Sequence, residues 1–386
     1  MSSSGSRPLT GRRIWIAGIG GAGMSAYALL AHAWGAEVAG WDRVETPYLA
    51  HLDGIDVTIA PDPPPAPDGW EVYVSSAFAG RVAGRPRADL LAELVSLRRS
   101  IVVAGAHGKT TTSAMIAFCL DRLGLDPAFL IGGDVPQLGG NARAGEGWLV
   151  VEGDESDRSV AELRPEIAVL LNVDLDHHTT FASRAEVEDL FEAWLATVPN
   201  VVRAEGLDPV DLRLAVPGEH NRRNAAAALA ALELAGVEGA EGVIAEFTGV
   251  GRRLERRADH VYDSYAHHPA EIAADIAAVR NGGRVLALFQ PHLYSRTRYL
   301  AHEFAVALAT ADAVCVTEIY PAREAPIPGV SGKLIVDELA RVRPGMQIGW
   351  GPSLEDAARI VSTWVRPGDA VLTLGAGDVD RVVDLL

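Results

Sequence analysis

Residues 101–112 constrain this chain more than any other segment. An apolar run ends in Gly105, a second glycine follows at Gly108, and Lys109 begins a segment with the composition of a helix to about residue 123. A strand, a glycine loop and a helix N-terminus in this order form an anion site, because the loop N–H groups and the helix dipole face the same point. The first glycine of the usual phosphate loop would fall at Val103, so this shortened variant predicts a nucleoside triphosphate site. Its predicted ligand-binding residues are Gly105, His107, Gly108, Lys109, Thr110 and Thr111.

Size, charge and apolar content limit the classes of protein to which this chain can belong. A chain of 386 residues is too long for one ordinary core and suits two or three domains. The net charge of −17 argues against nucleic acid and anionic membrane surfaces as partners. The first ten residues lack the apolar core of a signal peptide and no apolar run is long enough for a membrane span, so we expect a cytoplasmic protein. Cys119 and Cys315 lie in apolar runs and are expected to be buried thiols.

A second glycine loop near the N-terminus predicts another nucleotide site. A short strand runs into the pattern Gly18-x-Gly20-x-x-Gly23, and Asp42 stands 19 positions after the last glycine, beyond a second strand. In such a turn the glycines let a diphosphate approach the backbone, and the acid accepts a hydrogen bond from a ribose hydroxyl. The pattern leaves the identity of the nucleotide open, and glycines needed only for helix–strand packing are the alternative. A later strand ends in Ser75 and Ser76, which are candidate ligand contacts or ordinary turn formers.

Two further apolar runs end in side chains that can ligate a metal. One run ends at Glu152 and the other leads to His177. If both strands lie parallel to the strand of the phosphate loop, these side chains meet Lys109 and Thr110, and the carboxylate, imidazole and hydroxyl form a shell for Mg²⁺. Zinc at His177 and His178 is the competing interpretation, although no cysteine lies nearby. The other acids here are expected to be solvated or to lie behind the ligands: Asp154, Glu155, Asp157, Asp174 and Asp176.

The second half of the chain adds two groups of polar residues. An alanine-rich helix opens after residue 217, and its first turn carries His220, Asn221 and Asn224, where amides can read an adenine edge. A helix cap accounts for one asparagine, but not for all three residues. Beyond residue 249 strands and helices alternate, which predicts another α/β unit. Segments 263–269 and 290–298 bring His, Tyr and Arg to strand ends, which favours a small anionic substrate.

With these motifs in this order, the chain resembles the Mur ligase family. The resemblance rests on the two glycine loops, on segments 152–157 and 172–177, and on segments 218–225, 252–253, 265–271 and 289–297. It implies an α/β fold of three domains: an N-terminal Rossmann-like UDP-sugar-binding domain (1–98), a central ATP-binding domain with a mostly parallel sheet (99–248) and a C-terminal Rossmann-like domain (249–386). It also implies ATP and Mg²⁺ as cofactors, UDP-N-acetylmuramate and L-alanine as further substrates, and a monomer or homodimer.

The resemblance further implies a role for each matching position. The UDP-sugar would contact Gly18, Gly20, Gly21, Gly23, Met24, Ser25, Asp42, Ser75 and Ser76. ATP would contact the phosphate loop together with His220, Asn221, Asn224, Arg253 and Asp263, the last at the ribose. The amino acid would contact Tyr265, His267, His268 and Arg296. Catalysis would fall to Lys109, Glu152, His177 and Arg296, and the metal would be held by Thr110, Glu152 and His177.

The chain also departs from the family pattern. The segment between His177 and Pro217 is much shorter than usual, Gly153 replaces a common alanine, and Leu293 stands where arginine is frequent. The alternatives are a family member that attaches a whole peptide to the same sugar nucleotide, and a homologue that binds both nucleotides without turnover. An NAD-dependent dehydrogenase built on the first glycine loop is a third alternative, but it gives Lys109, Glu152 and His177 no role.

Overall fold

A computed structural model describes residues 7–175, 180–280, 282–322 and 324–386. These residues form two compact units. One comprises the chain to Val210 together with Arg223–Phe247, and the other comprises Asp211–Arg222 together with Thr248–Leu386. Among the described residues the first unit holds two β-sheets and the second unit holds one, each flanked by helices, so the predicted α/β class is confirmed. The predicted domain limits, 1–98, 99–248 and 249–386, stay predictions.

The first sheet has five parallel strands in the order β3-β2-β1-β4-β5. Its strands and helices are β1 (Arg13–Ala17), α1 (Ala22–Ala33), β2 (Glu37–Asp42), β3 (Asp56–Ile59), β4 (Glu71–Val74), β5 (Arg85–Pro86) and α2 (Arg87–Ser96). The chain moves outward from β1 through β2 to β3 and then returns to β1's other side at β4. Ligands of such sheets bind where the order reverses, at the carboxyl ends of the strands. Gly18 follows β1 and Ser75 follows β4, so both predicted contacts lie at this point.

The second sheet carries the phosphate loop at its centre, in the order β11-β10-β6-β9-β7-β8. Its elements are β6 (Ser100–Ala104), α3 (Lys109–Arg122), β7 (Ala128–Val135), β8 (Gly140–Arg143), β9 (Leu149–Glu152), β10 (Ile167–Leu170), α4 (Arg184–Leu195), β11 (Asn200–Arg203), α5 (Glu219–Leu234, which runs from the second unit into the first) and α6 (Ala240–Ile244). Only the β7–β8 pair is antiparallel among these described strands. The parallel neighbours β9 and β10 therefore deliver the residues after them to the same edge as the phosphate loop.

The third sheet forms the second unit, in the order β12-β13-β17-β14-β15-β16. Its elements are β12 (Glu255–Ala258), β13 (Val261–Ser264), α7 (Pro269–Val279), β14 (Val285–Phe289), α8 (Tyr294–Leu308), β15 (Ala313–Val316), α9 (Lys333–Val342), β16 (Gln347–Trp350), α10 (Leu354–Ser362) and β17 (Ala370–Leu374). The described strands are parallel except for β12 against β13. The loops after β13, β17 and β14 consequently meet at one edge.

One hydrophobic core spans both sheets of the first unit. Helix α1 packs on β2 within its own sheet and also on β7 and β8 of the second sheet. Helix α3 is buried on all sides from Thr110 to Leu120, because β6, β7 and β9 cover one face and α6 covers another. A helix that is apolar all round must be buried in this way. The two glycine loops, at the N-termini of α1 and α3, are thereby fixed within one unit.

Most predicted elements are present, and the missed strands share a cause. Strands β3, β5, β7, β8, β11 and β12 were not predicted. Strand β7 contains two consecutive glycines, and β8 and β12 consist largely of polar or charged residues at sheet edges. Such strands lack the alternation or apolar run that identifies a strand in a sequence, and they are held by pairing with a neighbour. Helix α8 begins at Tyr294, directly after Leu293 at φ 72°.

The two cysteines are free and fully buried, as predicted. Burial raises the pKa of the Cys119 thiol to about 12 and that of Cys315 to about 12. Within the described ranges, no helix is both long and apolar enough to cross a bilayer.

The short segment after residue 180 contributes its helix α4 to the core of the first unit. Trp194 is 1% exposed, and its indole Nε1 donates a hydrogen bond to the Leu163 carbonyl oxygen at 3.0 Å. Replacing Trp194 by Ala should lower the free energy of unfolding by about 3–5 kcal/mol, because it removes a large buried side chain and leaves a cavity. Urea denaturation would measure the loss.

Leu125→Ala is the matched control, because Leu125 is 41% exposed. Its expected change is within about 0.5 kcal/mol. Equal shifts in the two variants would show that α4 is not part of the core that unfolds cooperatively.

Candidate active site

Two glycines and two asparagines set the shape of the phosphate loop. Gly105 and Gly108 have φ values of 132° and 86°, in the region that favours glycine. A Cβ on Gly108 would lie 2.5 Å from Asn224 Oδ1, and a Cβ on Gly105 would lie 2.9 Å from the Asn172 carbonyl oxygen. Asn172 also accepts a hydrogen bond from the His107 N–H (2.9 Å) and donates one to the His107 carbonyl (2.9 Å). The loop is therefore held by a residue that follows β10, on the neighbouring strand.

Lys109 is held by an acidic side chain next to the loop. Its Nζ donates to Glu155 at 3.0 and 3.2 Å and to the Gly105 carbonyl at 2.5 Å. Glu155 is 3% exposed. Burial alone would lower the pKa of Lys109, but the Glu155 carboxylate, with smaller contributions from Asp154 and Glu152, raises it above its usual value. The ammonium is thus fully charged at neutral pH and lies at the N-terminus of α3.

Glu152 lies beside the first hydroxyl of α3. The Thr110 Oγ1 donates to Glu152 Oε2 at 3.1 Å, and the Gly132 N–H donates to Glu152 Oε1 at 2.5 Å. A Cβ on Gly132 would come 3.1 Å from this carboxylate, so a glycine of β7 makes room for it. A hydroxyl and a carboxylate in contact are hard oxygen donors of the kind that Mg²⁺ prefers. The predicted third ligand, His177, lies outside the described residues.

A cavity of about 280 Å³ within the first unit connects the two glycine loops. Gly23 and Tyr27 of α1 line one part of it, and Lys109 and Glu152 line another. Its wall also contains Arg87, from the start of α2. A ligand held at the first loop can therefore reach the phosphate loop without leaving the unit.

The first glycine loop is packed against its own sheet. Gly18 has a φ of 84°, and a Cβ there would lie 2.8 Å from Ser75 Cβ. The Gly20 N–H donates to Asp42 Oδ2 at 2.8 Å, and the Arg43 N–H donates to Asp42 Oδ1 at 2.6 Å. Asp42 is 7% exposed. Its two hydrogen bonds to backbone N–H groups therefore stabilise the loop itself. Its predicted bond to a ribose stays a prediction.

The other residues predicted around this loop differ in exposure. Met24 and Ser25 are buried in the first turns of α1, where Ser25 Oγ donates to the Ala22 carbonyl at 3.1 Å. Gly21 caps the helix with extended backbone. Ser76 is exposed in the short turn after β4. Exposure at the carboxyl edge of the sheet suits a ligand contact for Ser76, whereas Met24 and Ser25 hold the helix in place.

The three polar residues at the start of α5 make separate contacts. Asn224 lies against Gly108 of the phosphate loop. Asn221 is 5% exposed, and its Nδ2 donates to the Pro217 carbonyl at 2.6 Å, as in a turn that precedes a helix. His220 lies in the second unit with Nε2 3.8 Å from an Asp275 oxygen, and burial lowers its pKa. Asn224 is thus the member of the trio that reaches the phosphate loop.

In the second unit, Tyr265 lies close to two arginines. The guanidinium carbons of Arg252 and Arg253 lie 5.4 and 5.2 Å from its ring centroid. Arg252 Nε also donates to Asp263 at 2.9 Å, and Thr373 donates to the other Asp263 oxygen at 2.6 Å. Asp263 is completely buried, and burial raises its pKa. In this arrangement Asp263 orients Arg252, and the proposed contact between Asp263 and a ribose stays a prediction.

A row of aromatic and imidazole rings continues along the same edge of the third sheet. The His267 ring packs against the rings of Tyr265 and His292, with ring centroids 5.4 and 5.9 Å apart. Arg296 is 5% exposed, with Nη1 3.5 Å from His292 Nδ1. His268 caps α7 by accepting from the Ala270 N–H at 3.4 Å. The loops after β13 and β14 thus bring three of the four predicted amino-acid contacts together.

Sequence reasoning gave no site role to Asn172, Arg252 or His292, and it expected Glu155 only as a solvated acid or one behind the ligands. Asn172, Glu155, Arg252 and His292 each contact a predicted site residue. The signal was present, because all four stand directly after strands or within the quoted motifs. The sequence alone could not select among neighbouring acids or arginines. Gly153 is explained by packing, since a Cβ would lie 2.9 Å from Val160 Cγ2.

Comparison with known proteins identifies relatives along nearly the whole chain. Residues 103–201 match the Mur ligase middle domain, and residues 252–377 match the Mur ligase glutamate ligase domain. The chain is 41% identical to the UDP-N-acetylmuramate–L-alanine ligase of Streptomyces coelicolor over an alignment that covers 96% of each protein. That alignment extends over 447 positions, more than the 386 residues of this chain, so the relative contains residues that this chain lacks.

Solved structures share the fold. The UDP-N-acetylmuramate–alanine ligase of Thermotoga maritima is 28% identical, with a TM-score of 0.75 over 96% of this chain and 97% of that one. A murein peptide ligase of Psychrobacter arcticus has a TM-score of 0.63 over 97% of this chain and 98% of that chain, at 23% identity. The second likeness concerns the fold alone.

Gly108 tests whether the phosphate loop has room for a side chain. Gly108→Ala should weaken the binding of ATP by roughly tenfold or more, because positive φ costs about 1–2 kcal/mol and the added Cβ collides with Asn224. Calorimetric titration with a non-hydrolysable ATP analogue would measure the loss.

Gly124→Ala is the control, since Gly124 also has a positive φ (73°) but no atom would lie within 4 Å of its Cβ. It should bind the analogue like the unmodified protein. Equal affinity for both variants would refute the predicted role of the contact between Gly108 and Asn224.

Asp275 predicts a pH dependence of stability in the second unit. Asp275 is 7% exposed, accepts a hydrogen bond from Ser264 Oγ, and lies near His220. Burial raises its pKa from 3.8 to about 7. The folded state therefore binds a proton that the unfolded state releases, so the linked stability is present below pH 4 and is lost as the pH rises through 7. Asp275→Asn should raise the unfolding midpoint at pH 8 relative to the unmodified protein, and should do so less at pH 5.5.

Asp312→Asn is a control of opposite sign. Burial would raise the pKa of Asp312, but the Val285 N–H and Arg280 outweigh it and lower the pKa. Its loss should therefore destabilise the protein about equally at pH 5.5 and pH 8. A pH-independent effect of Asp275→Asn would rule out the linkage.

Proposed function

The chain belongs to the Mur ligase family, and on that basis we propose that it joins L-alanine to the lactyl carboxylate of UDP-N-acetylmuramate, with conversion of ATP to ADP and phosphate. The observation that carries the proposal is the near-full-length similarity to alanine ligases, combined with the contact between Thr110 and Glu152 in the cavity that Lys109 also lines. The product would be a precursor of peptidoglycan. The protein would act in the cytoplasm, and its oligomeric state stays a prediction.

The phosphate loop supports ATP as the phosphoryl donor. A triphosphate at the N-terminus of α3 accepts hydrogen bonds from the loop N–H groups and meets the positive end of the helix dipole. Lys109 would replace its ion pair with Glu155 by one with the outer phosphates, because its ammonium already lies beside the phosphate loop. The same charge lowers the repulsion between the γ-phosphate and an approaching carboxylate, which is the main obstacle to forming the acyl phosphate.

Thr110 and Glu152 fit a magnesium ion. Their oxygens are in contact at 3.1 Å, and Glu152 is held in place by the Gly132 N–H. Mg²⁺ bound there with ATP would supply positive charge to the developing transition state. His177 remains the predicted third ligand.

The cavity supports the order of groups that the reaction needs. A sugar nucleotide with its diphosphate at Gly18–Gly23 would extend along the cavity toward Lys109. Its carboxylate would then attack the γ-phosphate, and the resulting acyl phosphate would accept the amine of L-alanine with release of phosphate. Holding the reacting groups together can supply about 7–11 kcal/mol of the barrier. In the second unit, Tyr265, His267, His268 and Arg296 are the proposed contacts of the amino acid.

The proposal predicts phosphate release from ATP only when UDP-N-acetylmuramate and L-alanine are both present with Mg²⁺. Lys109→Ala and Glu152→Gln should each lower kcat by roughly 10²–10³-fold, as for other groups that stabilise transition-state charge. Lys333→Ala is the matched control, because Lys333 is exposed and is the other lysine of the chain. It should retain full activity.

The two alternatives within the Mur ligase family give different results in the same assay. A tripeptide that outperforms L-alanine, serine and glycine would identify a peptide ligase. Binding of both nucleotides without phosphate release would identify a homologue without turnover. Phosphate release with L-alanine that survives in Lys109→Ala would contradict the proposed role of the loop.

A further inference from the structure

Arg87 is a partly buried cation that none of the roles above includes. It is the first residue of α2 and lines the cavity between the glycine loops. Its Nη2 lies 2.7 Å from Asp157 Oδ2 and 3.3 Å from Asp154 Oδ2, in the acidic segment (residues 152–157) that follows β9. On the other side, its Nη1 lies 3.8 Å from the position of a Cβ on Gly23, at the first turn of α1. The Arg87 guanidinium therefore lies beside the first turn of α1 and pairs with two acids of the acidic segment.

The acidic segment concentrates negative charge beside the triphosphate site. Four of its six residues are acids, namely Glu152, Asp154, Glu155 and Asp157. In the described contacts, Lys109 balances Glu155, and Arg87 balances Asp154 and Asp157. Burial would raise the pKa of Asp157, but hydrogen bonds from Ser159 and Arg87 outweigh it and lower the pKa. Asp157 is thus ionised at neutral pH, and these two cations pair with the acids of the segment.

The two cations differ in what ATP does to them. When ATP binds, the Lys109 ammonium must interact with the phosphates, so its ion pair with Glu155 becomes weaker. Arg87 does not lie on the phosphate loop, and its side chain is only 25% exposed. Burial alone would lower the pKa of Arg87, but Tyr27 and the carboxylates of Asp157 and Asp154 outweigh it and raise the pKa, so the charge is permanent. A triphosphate carries several negative charges of its own, so a segment without Arg87 would repel it.

We propose that Arg87 is a positioning residue of the ligase reaction, the fixed counter-cation that keeps the acidic segment beside the phosphate loop while Lys109 exchanges Glu155 for the triphosphate. The inference rests on the proposed function for its ligand, ATP. Arg87 acts through its ion pairs with Asp154 and Asp157. These two acids belong to the same short segment as Glu152 and Glu155, so holding them in place also holds the carboxylates that contact Thr110 and Lys109. Because Arg87 also contacts the first turn of α1, it fixes the width of the cavity in which the substrate carboxylate approaches.

The proposal is tested by ATP affinity, measured by titration with a non-hydrolysable analogue so that turnover is not required. Arg87→Ala should weaken binding by roughly tenfold, the scale of one charged hydrogen bond. The affinity of Arg87→Lys should lie between those of the unmodified protein and Arg87→Ala. Lysine keeps the charge, but its ammonium cannot hold two carboxylates in the geometry of a guanidinium. In the Arg87→Ala protein, a second change, Asp157→Asn, should restore most of the affinity, because it removes the uncompensated charge. The KM for L-alanine should stay unchanged throughout.

Arg85→Ala is the matched control. Arg85 stands two residues earlier, pairs with Asp89 at 3.0 Å, and is 51% exposed outside the acidic segment. It should bind the analogue normally, and thermal unfolding of every variant would identify losses caused by misfolding. Arg87→Lys carries the test if Arg87→Ala does not fold.

The outcomes separate this inference from the proposed function. Unchanged affinity in Arg87→Ala, or further loss on adding Asp157→Asn, would overturn the positioning role even if the unmodified protein releases phosphate. Suppose that Asp157→Asn restores ATP affinity in the Arg87→Ala protein, while the unmodified protein binds ATP but releases no phosphate with L-alanine. That result would support the positioning role and overturn the proposed ligase activity.

Discussion

The ion pair between Lys109 and Glu155 is the interaction on which the first unit's site depends. A lysine at a helix N-terminus is placed against the dipole, and it remains there because a buried carboxylate and a loop carbonyl hold it. The pair keeps the ammonium charged and prepositioned in the absence of a ligand. It also means that an arriving anion replaces one partner with another, so the lysine does not have to be ordered at the moment of binding.

Parallel strand order makes this pair possible. Strands β6, β9 and β10 are neighbours, so the phosphate loop, the acidic segment and Asn172 leave the sheet at the same edge. The same principle operates in the second unit, where the loops after β13 and β14 bring Tyr265, His267, His292 and Arg296 together. In both units the sheet supplies a rigid base, and the chemistry is carried by short loops at its carboxyl edge.

Compensated charge is the second recurring feature of the molecule. The acidic segment is balanced by cations from two different elements, and buried Asp263 is balanced by Arg252 and Thr373. Leaving such a group buried without a partner is costly, so each partner is as necessary as the acid itself. The described part of the shortened segment after residue 180 provides no such pair to the site, but its helix α4 contributes the buried Trp194 to the core.

The sequence by itself determined the α/β class, most helices and strands, and both glycine loops. These features follow from local patterns: the period of apolar residues, glycines at turns, and Lys-Thr at a helix start. Only the tertiary structure decided which acid holds Lys109, that Arg87 serves the acidic segment, and that Asp263 is buried behind Arg252. The physical reason is that such pairings depend on which strands are neighbours and how elements pack, and neither is encoded within a single local segment. Edge strands such as β8 and β12 escaped prediction for the same reason, because pairing with a neighbour, more than composition, makes them strands.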